Sequence, residues 1–284
     1  PCFHACPGIT TIALCFLPFA LCLLFMLSAL LRFCWIGCCA AAMLLQTLVL
    51  LDKPLEGQAL LLGFVFSATL FGYYFTSRER WQRGLAYLAG GGALWCLAWL
   101  PRSMVLQVSV PGIVWALYYF AGARSLRRLR WLKPVSIAFA WAWVTVWLPL
   151  DTHEWSAAIL IFAGRAAFLF ALALACDLMD VHDDRQEKLL TLAQHFGEQN
   201  TFRWINKALI AAGLVCILNY FCKIYSLWAM IALLLSLGCS AGWLRFIRNH
   251  HYWEHRQKFW IDALMMLQFM TVLGVEVLTS LKWR

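Results

Sequence analysis

Four aspartates lie close together where a long apolar run of the chain ends. The run covers residues 155–176 and is followed by Asp177, Asp180, Asp183 and Asp184. If the helix continues past this run, Asp177, Asp180 and Asp184 stand at positions i, i+3 and i+7 and share one helix face. Carboxylates this close repel one another unless a cation neutralises them, and hard oxygen ligands favour Mg²⁺. The spacing therefore predicts a magnesium site with these three aspartates as ligands.

A magnesium ion beside an apolar helix indicates the kind of substrate. Mg²⁺ usually keeps coordination positions for substrate phosphates, so we expect a phosphorylated lipid. The alternative is a solvated loop whose aspartates cap a helix and are balanced by nearby arginines. We expect Asp183, which lies off the shared face, to be solvated in either case.

The composition identifies an integral membrane protein. Hydrophobic residues make up 63% of the 284 residues and aromatic residues 15%, and the mean hydropathy is +0.72, which is too apolar for a soluble domain. A helix needs about 20 apolar residues to span the hydrocarbon layer. On this basis we predict nine spans, at about 33–51, 58–76, 83–100, 104–122, 132–150, 155–176, 204–222, 224–245 and 260–279.

A further apolar run, residues 9–31, precedes the nine predicted spans and is separated from them only by Arg32. It could be an extra span, a signal-like segment, or upstream sequence that is removed. We therefore expect one domain at 33–281, preceded by an additional hydrophobic segment at 1–31.

The net charge of +9 does not indicate nucleic-acid binding. If alternate loops are assigned to opposite faces of the membrane, most basic residues fall on a single face. The positive-inside rule explains this asymmetry and assigns that face to the cytoplasm. The aspartate cluster lies on the same face, so we expect it to be cytoplasmic.

The aspartate cluster resembles the second motif of the UbiA-type intramembrane prenyltransferases, which is often extended as DxxDxxxDR. The matching residues are Asp177, Asp180, Asp184 and Arg185, followed at suitable spacing by Thr191 and Gly197. Residues 131–150 also resemble the fifth span of bacterial members. The resemblance covers about residues 33–281 and implies an all-α, nine-transmembrane-helix bundle in the bacterial inner membrane.

This resemblance implies a magnesium-dependent transferase that moves an alkyl or aryl group other than methyl. An isoprenyl group would pass from a prenyl diphosphate to a lipid-soluble acceptor, with Asp180 and Asp184 as the catalytic pair. Mg²⁺ and basic side chains would stabilise the departing diphosphate. Arg78, Lys133, Arg185 and Lys188 are the candidate diphosphate-binding residues, and Tyr73 and Tyr74 are the candidate cavity residues. The arginines and lysines are also explained by topology alone.

The first motif of the family, N-x-x-x-D-x-x-x-D at the end of the second span, is degenerate in this chain. Residues 64–75 resemble the approach to it, but residues 73–80 contain Glu79 as their sole carboxylate. Two alternatives to the enzyme therefore stay open. One is a catalytically inactive homologue that binds an isoprenoid or a partner protein, and the other is a small membrane transporter.

Arg165 is a charged residue in the middle of the sixth predicted span. Charges inside a membrane usually face a partner or a wet cavity. We predict that Arg165 pairs with Glu276 near the outer end of the last span.

Overall fold

The computed structural model describes residues 7–122, 125–150, 155–187, 189–250 and 258–281, and in these ranges the chain is helical and has no strand. The helices are α1 (Pro7–Leu50), α2 (Ala59–Tyr74), α3 (Arg80–Trp99), α4 (Arg102–Phe120), α5 (Leu132–Ala142), α6 (Trp155–Met179), α7 (Val181–Gln186), α8 (Leu192–Phe221), α9 (Leu227–Asn249) and α10 (Lys258–Leu281). A wide π-helical turn, Trp143–Trp147, extends α5.

Each of the nine predicted spans corresponds to one of these helices. Six helices are long and apolar enough to cross a membrane by length and composition: Ala29–Leu50, Arg102–Phe120, Ala157–Met179, Leu192–Phe221, Leu227–Asn249 and Lys258–Thr279. Two shorter apolar helices, Ala59–Tyr74 and Leu132–Trp147, accompany them, and α3 completes the set. The chain is an integral, multi-pass membrane protein.

Helix α1 is longer than the first predicted span. It contains 44 residues and continues through Arg32 without a break. At about 1.5 Å per residue, such a helix is longer than the hydrocarbon layer, which is about 30 Å thick. The apolar run at 9–31 and the first span therefore form one helix in this structure.

The helices pack as a ring that is closed by the first and last of them. Along the chain, α1 packs on α2 and α2 on α3. Helix α2 also contacts α4, through the rings of Phe71 and Trp115. From there α4 packs on α5, α5 on α6, α6 on α8, α8 on α9 and α9 on α10, and α10 returns to α1. Buried apolar side chains such as Met43, Phe168 and Ile205 form the core between these helices. Large apolar residues such as Leu88 and Phe221 are exposed on the outside, as expected for helices that face lipid.

The backbone between α6 and α7 keeps a helical path through the aspartate cluster. Asp180 separates the two helices, yet its N–H donates to the Cys176 carbonyl at 3.0 Å, and the Asp184 N–H donates to the Asp180 carbonyl at 2.8 Å. Helix α8 then begins at Leu192 and is capped by Thr191, whose hydroxyl accepts from the Gln194 N–H. The i, i+3, i+7 geometry expected of the aspartates is therefore available.

Helix α8 consists of a short first segment and a long second one, which meet at Gly197. The backbone of Gly197 is not helical, with φ 73° and ψ 169°. Its positive φ favours glycine because the residue has no Cβ. In the sequence, the mixed apolar and polar residues 189–196 followed by Gly197 predict a short surface helix that ends at the glycine, and the structure has a helix end there.

Arg165 does not pair with Glu276 as the sequence predicted. Its Nη1 donates to the Met43 carbonyl at 2.7 Å and to Thr145 Oγ1 at 3.3 Å, and its Nη2 donates to Thr47 Oγ1 at 3.3 Å. Glu276 instead accepts from the Ser226 hydroxyl at 3.4 Å. The arginine points inward and joins α6 to α1 and to the wide turn after α5.

Candidate functional site

A cavity of about 710 Å³ lies inside the helical ring, within the usual size range of small-molecule sites. Its middle is apolar, with walls that include Phe64, Val65, Leu94, Val108, Pro111 and Val144. Its charged lining residues are Arg127, Lys133, Asp177, Asp180, Asp184, Lys258 and Asp262. These lie at or near the ends of α5, α6 and α10 that share one side of the membrane, so the cavity has a charged end.

The three predicted metal ligands meet at this charged end. Asp177 lies in the last turn of α6, Asp180 at the junction of α6 and α7, and Asp184 in α7, and all three line the cavity. Asp177 is 3% exposed and Asp184 is 4% exposed. Asp183 is exposed, as its position off this face predicts. The structure thus gathers the carboxylates that the spacing selected.

Lys133 bridges two of these carboxylates from the first turn of α5. Its Nζ lies 2.9 Å from Asp177 Oδ1 and 2.7 Å from Asp184 Oδ2, and the residue is only 6% exposed. Burial raises the pKa of the Asp184 carboxyl above its ordinary value, and the neighbouring Lys133 opposes this rise. The second oxygen of Asp177, Oδ2, is buried and has no hydrogen-bond partner.

Helix α10 supplies two further charged groups that were not among the predicted site residues. Lys258 Nζ forms an ion pair with Asp180 Oδ1, and Asp262, one turn further along, also lines the cavity. In the sequence, Lys258 is one of the many basic residues on the face that the positive-inside rule assigns to the cytoplasm. Asp262 carried a usable signal, because a carboxylate inside an apolar span usually faces a partner or a cavity.

The charged end holds more carboxylates than ammonium groups. Asp177, Asp180, Asp184 and Asp262 face Lys133 and Lys258, while Arg127 Nη2 lies 2.6 Å from Glu187 Oε2 outside this set. When all these side chains are ionised, the cluster of four carboxylates and two ammonium groups has an excess of negative charge. Such a cluster attracts a cation.

The donor chemistry of this cluster fits Mg²⁺, which prefers carboxylate oxygens. The buried, unpartnered Oδ2 of Asp177 offers one such ligand. Among the described residues, however, no group of three or more His, Cys, Asp or Glu side chains is already arranged to hold a metal. The ammonium groups of Lys133 and Lys258 lie against the carboxylates that would do so.

Two of the predicted diphosphate-binding residues lie away from the cavity lining. The Arg78 side chain is 85% exposed and is 3.6 Å from Glu187 Oε1. Arg185 is also exposed, because it follows Asp184 on α7 and adjacent residues on a helix point in different directions. Lys188 lies outside the described residues. Arg127 lines the cavity instead, although in the sequence it is only one of many basic residues on the cytoplasmic face.

The two predicted cavity tyrosines have different surroundings. Tyr73 lines the cavity, and its ring centroid is 6.1 Å from that of Trp141 in an edge-on contact. Tyr74 packs against Phe33, at 4.5 Å between ring centroids, and is not part of the lining. Tyr118 and Tyr119 on α4 line the cavity as well. Tyr73 and Tyr74 are adjacent on α2 and point in different directions, so only one of the two predicted tyrosines lines the cavity.

Two solved structures share this fold. A digeranylgeranylglyceryl phosphate synthase superposes with a TM-score of 0.57 at 10% sequence identity, over 88% of this chain and 95% of that one. The apo structure of a UbiA homologue from Aeropyrum pernix K1 gives a TM-score of 0.58 at 11% identity, over 87% of this chain and 98% of that one. No protein-family model and no curated protein sequence matches the chain. The chain therefore has the UbiA-type prenyltransferase fold.

Proposed function

We propose that this chain is an intramembrane prenyltransferase. It would move an isoprenyl group from a prenyl diphosphate to a lipid-soluble acceptor, with Mg²⁺ as cofactor. The observation that carries the proposal is the shape of the 710 Å³ cavity, whose charged end continues directly into apolar walls. A ligand with a charged head and a long apolar tail matches both parts of this cavity.

The charged end would bind the diphosphate. Lys133, Lys258 and Arg127 line it and have N–H donors for phosphate oxygens, which form strong, charge-assisted hydrogen bonds. Asp177, Asp180 and Asp184 would hold Mg²⁺, which supplies positive charge that stabilises the departing diphosphate. The protein's own part is to fix the diphosphate at the mouth of the apolar cavity.

Aromatic residues adjoin the charged end where the reacting carbon would lie. Tyr73, Tyr118 and Trp141 all line the cavity. As the allylic C–O bond breaks, its electron pair stays on the diphosphate oxygen and the carbon becomes cationic, which the aromatic faces stabilise. A nucleophilic atom of the acceptor then forms the new bond to this carbon, and its proton passes to the released diphosphate. The apolar walls keep water from the cation.

We further propose that the charged end faces the cytoplasm and that the membrane is the bacterial inner membrane. The support is the distribution of basic residues among the loops, since the side with Arg78, Arg127 and Arg185 is the more basic. Substrate would then reach the charged end from the cytoplasmic surface, and its tail would extend toward the middle of the membrane.

Turnover by the purified protein tests the proposal. Wild-type protein in lipid nanodiscs should release diphosphate from geranyl, farnesyl or geranylgeranyl diphosphate when Mg²⁺ and an aromatic lipid acceptor are present. Asp180→Asn should lose this activity, because it removes a charged ligand from the cavity. Asp183→Asn, a change on the exposed side of the same segment, should keep it. Equal activity of Asp180→Asn and wild type would refute the assigned site.

A second candidate is a protein that binds a prenyl diphosphate without transferring the group. It is favoured by the connection between α2 and α3. The carboxylate in this connection, Glu79, is exposed and does not line the cavity. The same samples separate the two functions. Saturable binding of radiolabelled farnesyl diphosphate with no release of diphosphate would identify the binding protein.

A further inference from the structure

We propose that Lys133 keeps Asp177 and Asp184 from binding a divalent cation until a diphosphate draws its ammonium group away. Metal and diphosphate would then bind with strong positive coupling, and the metal would bind weakly by itself. This inference rests on the proposed function and adds an order of binding to it.

The contacts of Lys133 place its charge where the metal's charge would act. One ammonium group lies 2.9 Å from Asp177 and 2.7 Å from Asp184, which are two of the three predicted metal ligands. Both contacts are within hydrogen-bonding distance. Lys133 and a divalent cation therefore compete for the same two carboxylates, and two cations this close would also repel each other.

Lys133 is better shielded from water than the other lysine of the charged end. Its side chain is 8% exposed, whereas that of Lys258, which pairs with Asp180, is 29% exposed. A buried ammonium group that loses its carboxylates must find another anionic partner, because an unpaired buried charge is costly. Lys133 lines the cavity, so an anion bound there is within its reach.

A diphosphate is an anion of the required kind. Its oxygens can accept the hydrogen bonds that Lys133 now donates to the carboxylates. Asp177 and Asp184 would then be free to act as ligands, and Asp177 would offer Oδ1 as well as Oδ2, which already has no hydrogen-bond partner. By linkage, bound diphosphate raises the metal affinity by the same factor by which bound metal raises the diphosphate affinity.

Direct metal binding tests the inference without any turnover. Mn²⁺ replaces Mg²⁺ as a paramagnetic probe, and free Mn²⁺ is followed by electron paramagnetic resonance. The protein in nanodiscs is titrated with and without farnesyl thiodiphosphate, an analogue with a slow-leaving group, after correction for Mn²⁺ bound by the analogue alone. Wild type should bind Mn²⁺ at least about tenfold more tightly when the analogue is present.

Substitutions at Lys133 separate the effect of its positive charge on metal binding from the other effects of the side chain. Lys133→Met should bind Mn²⁺ without the analogue at least about tenfold more tightly than wild type does. Lys133→Arg keeps a cation between the carboxylates and should bind Mn²⁺ without the analogue as weakly as wild type does. Lys207→Met is the matched control, since it removes an exposed lysine on α8 that lies over Trp204, away from the cavity.

The outcomes distinguish the inference from the proposed function. Tight Mn²⁺ binding by wild type without the analogue overturns the inference, as does analogue binding that is equally strong with and without metal. Neither result affects the substrate class. An analogue that does not bind under any condition overturns the proposed function itself. If Lys133→Met fails to fold, as judged by size-exclusion chromatography, the wild-type titrations decide the question alone.

Discussion

Lys133 joins two carboxylates that belong to different helices, Asp177 on α6 and Asp184 on α7. All three residues are at most 6% exposed, so their charges interact in surroundings that water screens poorly. In such a group, removing one partner costs more than the pair contributes, because it leaves a buried charge without compensation. The residue that organises the candidate site is therefore also expected to stabilise the fold.

Lys133→Met should lower the free energy of unfolding by about 3–5 kcal/mol, since it leaves two buried carboxylates unpaired. Thermal unfolding followed by tryptophan fluorescence measures the change. A triple variant that also carries Asp177→Asn and Asp184→Asn should regain part of the loss, because the carboxylate charges are then absent. Wild-type stability of the single variant would contradict this account.

At the residue scale, the parts of the site that depend on local spacing were predictable from the sequence. The parts that depend on long-range contacts were not. The shared face of Asp177, Asp180 and Asp184 follows from helix geometry within a single segment, and Lys133 was already a candidate. Lys258 and Asp262 were missed because their approach to Asp180 depends on how α10 packs beside α6. The inward position of Tyr73, rather than Tyr74, likewise depends on the rotation of α2 in the ring.

At the element scale, Gly197 allows the short first segment of α8 to lie at an angle to the span that follows. Its φ of 73° and ψ of 169° fall in a region that is essentially restricted to glycine. The sequence predicted a helix end here from the glycine alone. It could not predict that the chain resumes helical structure immediately afterward.

Gly197→Ala should reduce the free energy of unfolding by about 1–3 kcal/mol, because alanine is strained in this conformation. Thermal unfolding measures the loss. Gly238→Ala is the matched control, since Gly238 lies inside α9 with nothing within 4 Å of an added Cβ. That change should be neutral or slightly stabilising. A loss at position 238 equal to that at 197 would count against backbone strain as the cause.

Arg165 connects three helical segments through neutral oxygen atoms. Thr47→Val removes one acceptor from its guanidinium group, which lies 3.3 Å away, and should cost about 1–3 kcal/mol. In a protein that carries Arg165→Met the same change should cost much less, and a double-mutant cycle measures this coupling. Thr69→Val, whose hydroxyl bonds only its own helix at Val65, is the control. Additive effects of Thr47→Val and Arg165→Met would show that the contact contributes nothing.

At the scale of the whole molecule, hydropathy was sufficient to predict the helices but not their arrangement. A run of apolar residues must satisfy its backbone hydrogen bonds internally in lipid, which predicts a helix for each run. The single helix from Pro7 to Leu50 was not foreseen, because Arg32 suggested a break. The contact that closes the ring, between α1 and α10, joins opposite ends of the chain and has no local sequence signal.

The proposed orientation predicts which residues a reagent can reach from each side of the membrane. Cys222 is exposed between α8 and α9, on the side opposite the aspartate cluster. In intact bacterial cells, a membrane-impermeant maleimide should label Cys222, and labelling should fall to background in Cys222→Ser. Adding Asp183→Cys to that variant should restore labelling only after the cells are lysed. The reverse pattern would mean that the chain is inverted in the membrane.

The position of Lys258 at the start of the last helix has a consequence for biosynthesis. The ribosome completes α6 and α7 long before it reaches α10, so Asp180 enters the membrane surface before the lysine that neutralises it has been made. Until then Asp180 lacks its contact with Lys258. Insertion of the final helix is thus the step that completes the wall of the pocket, and a nascent chain arrested before it lacks Lys258, Asp262 and Met265 at this site.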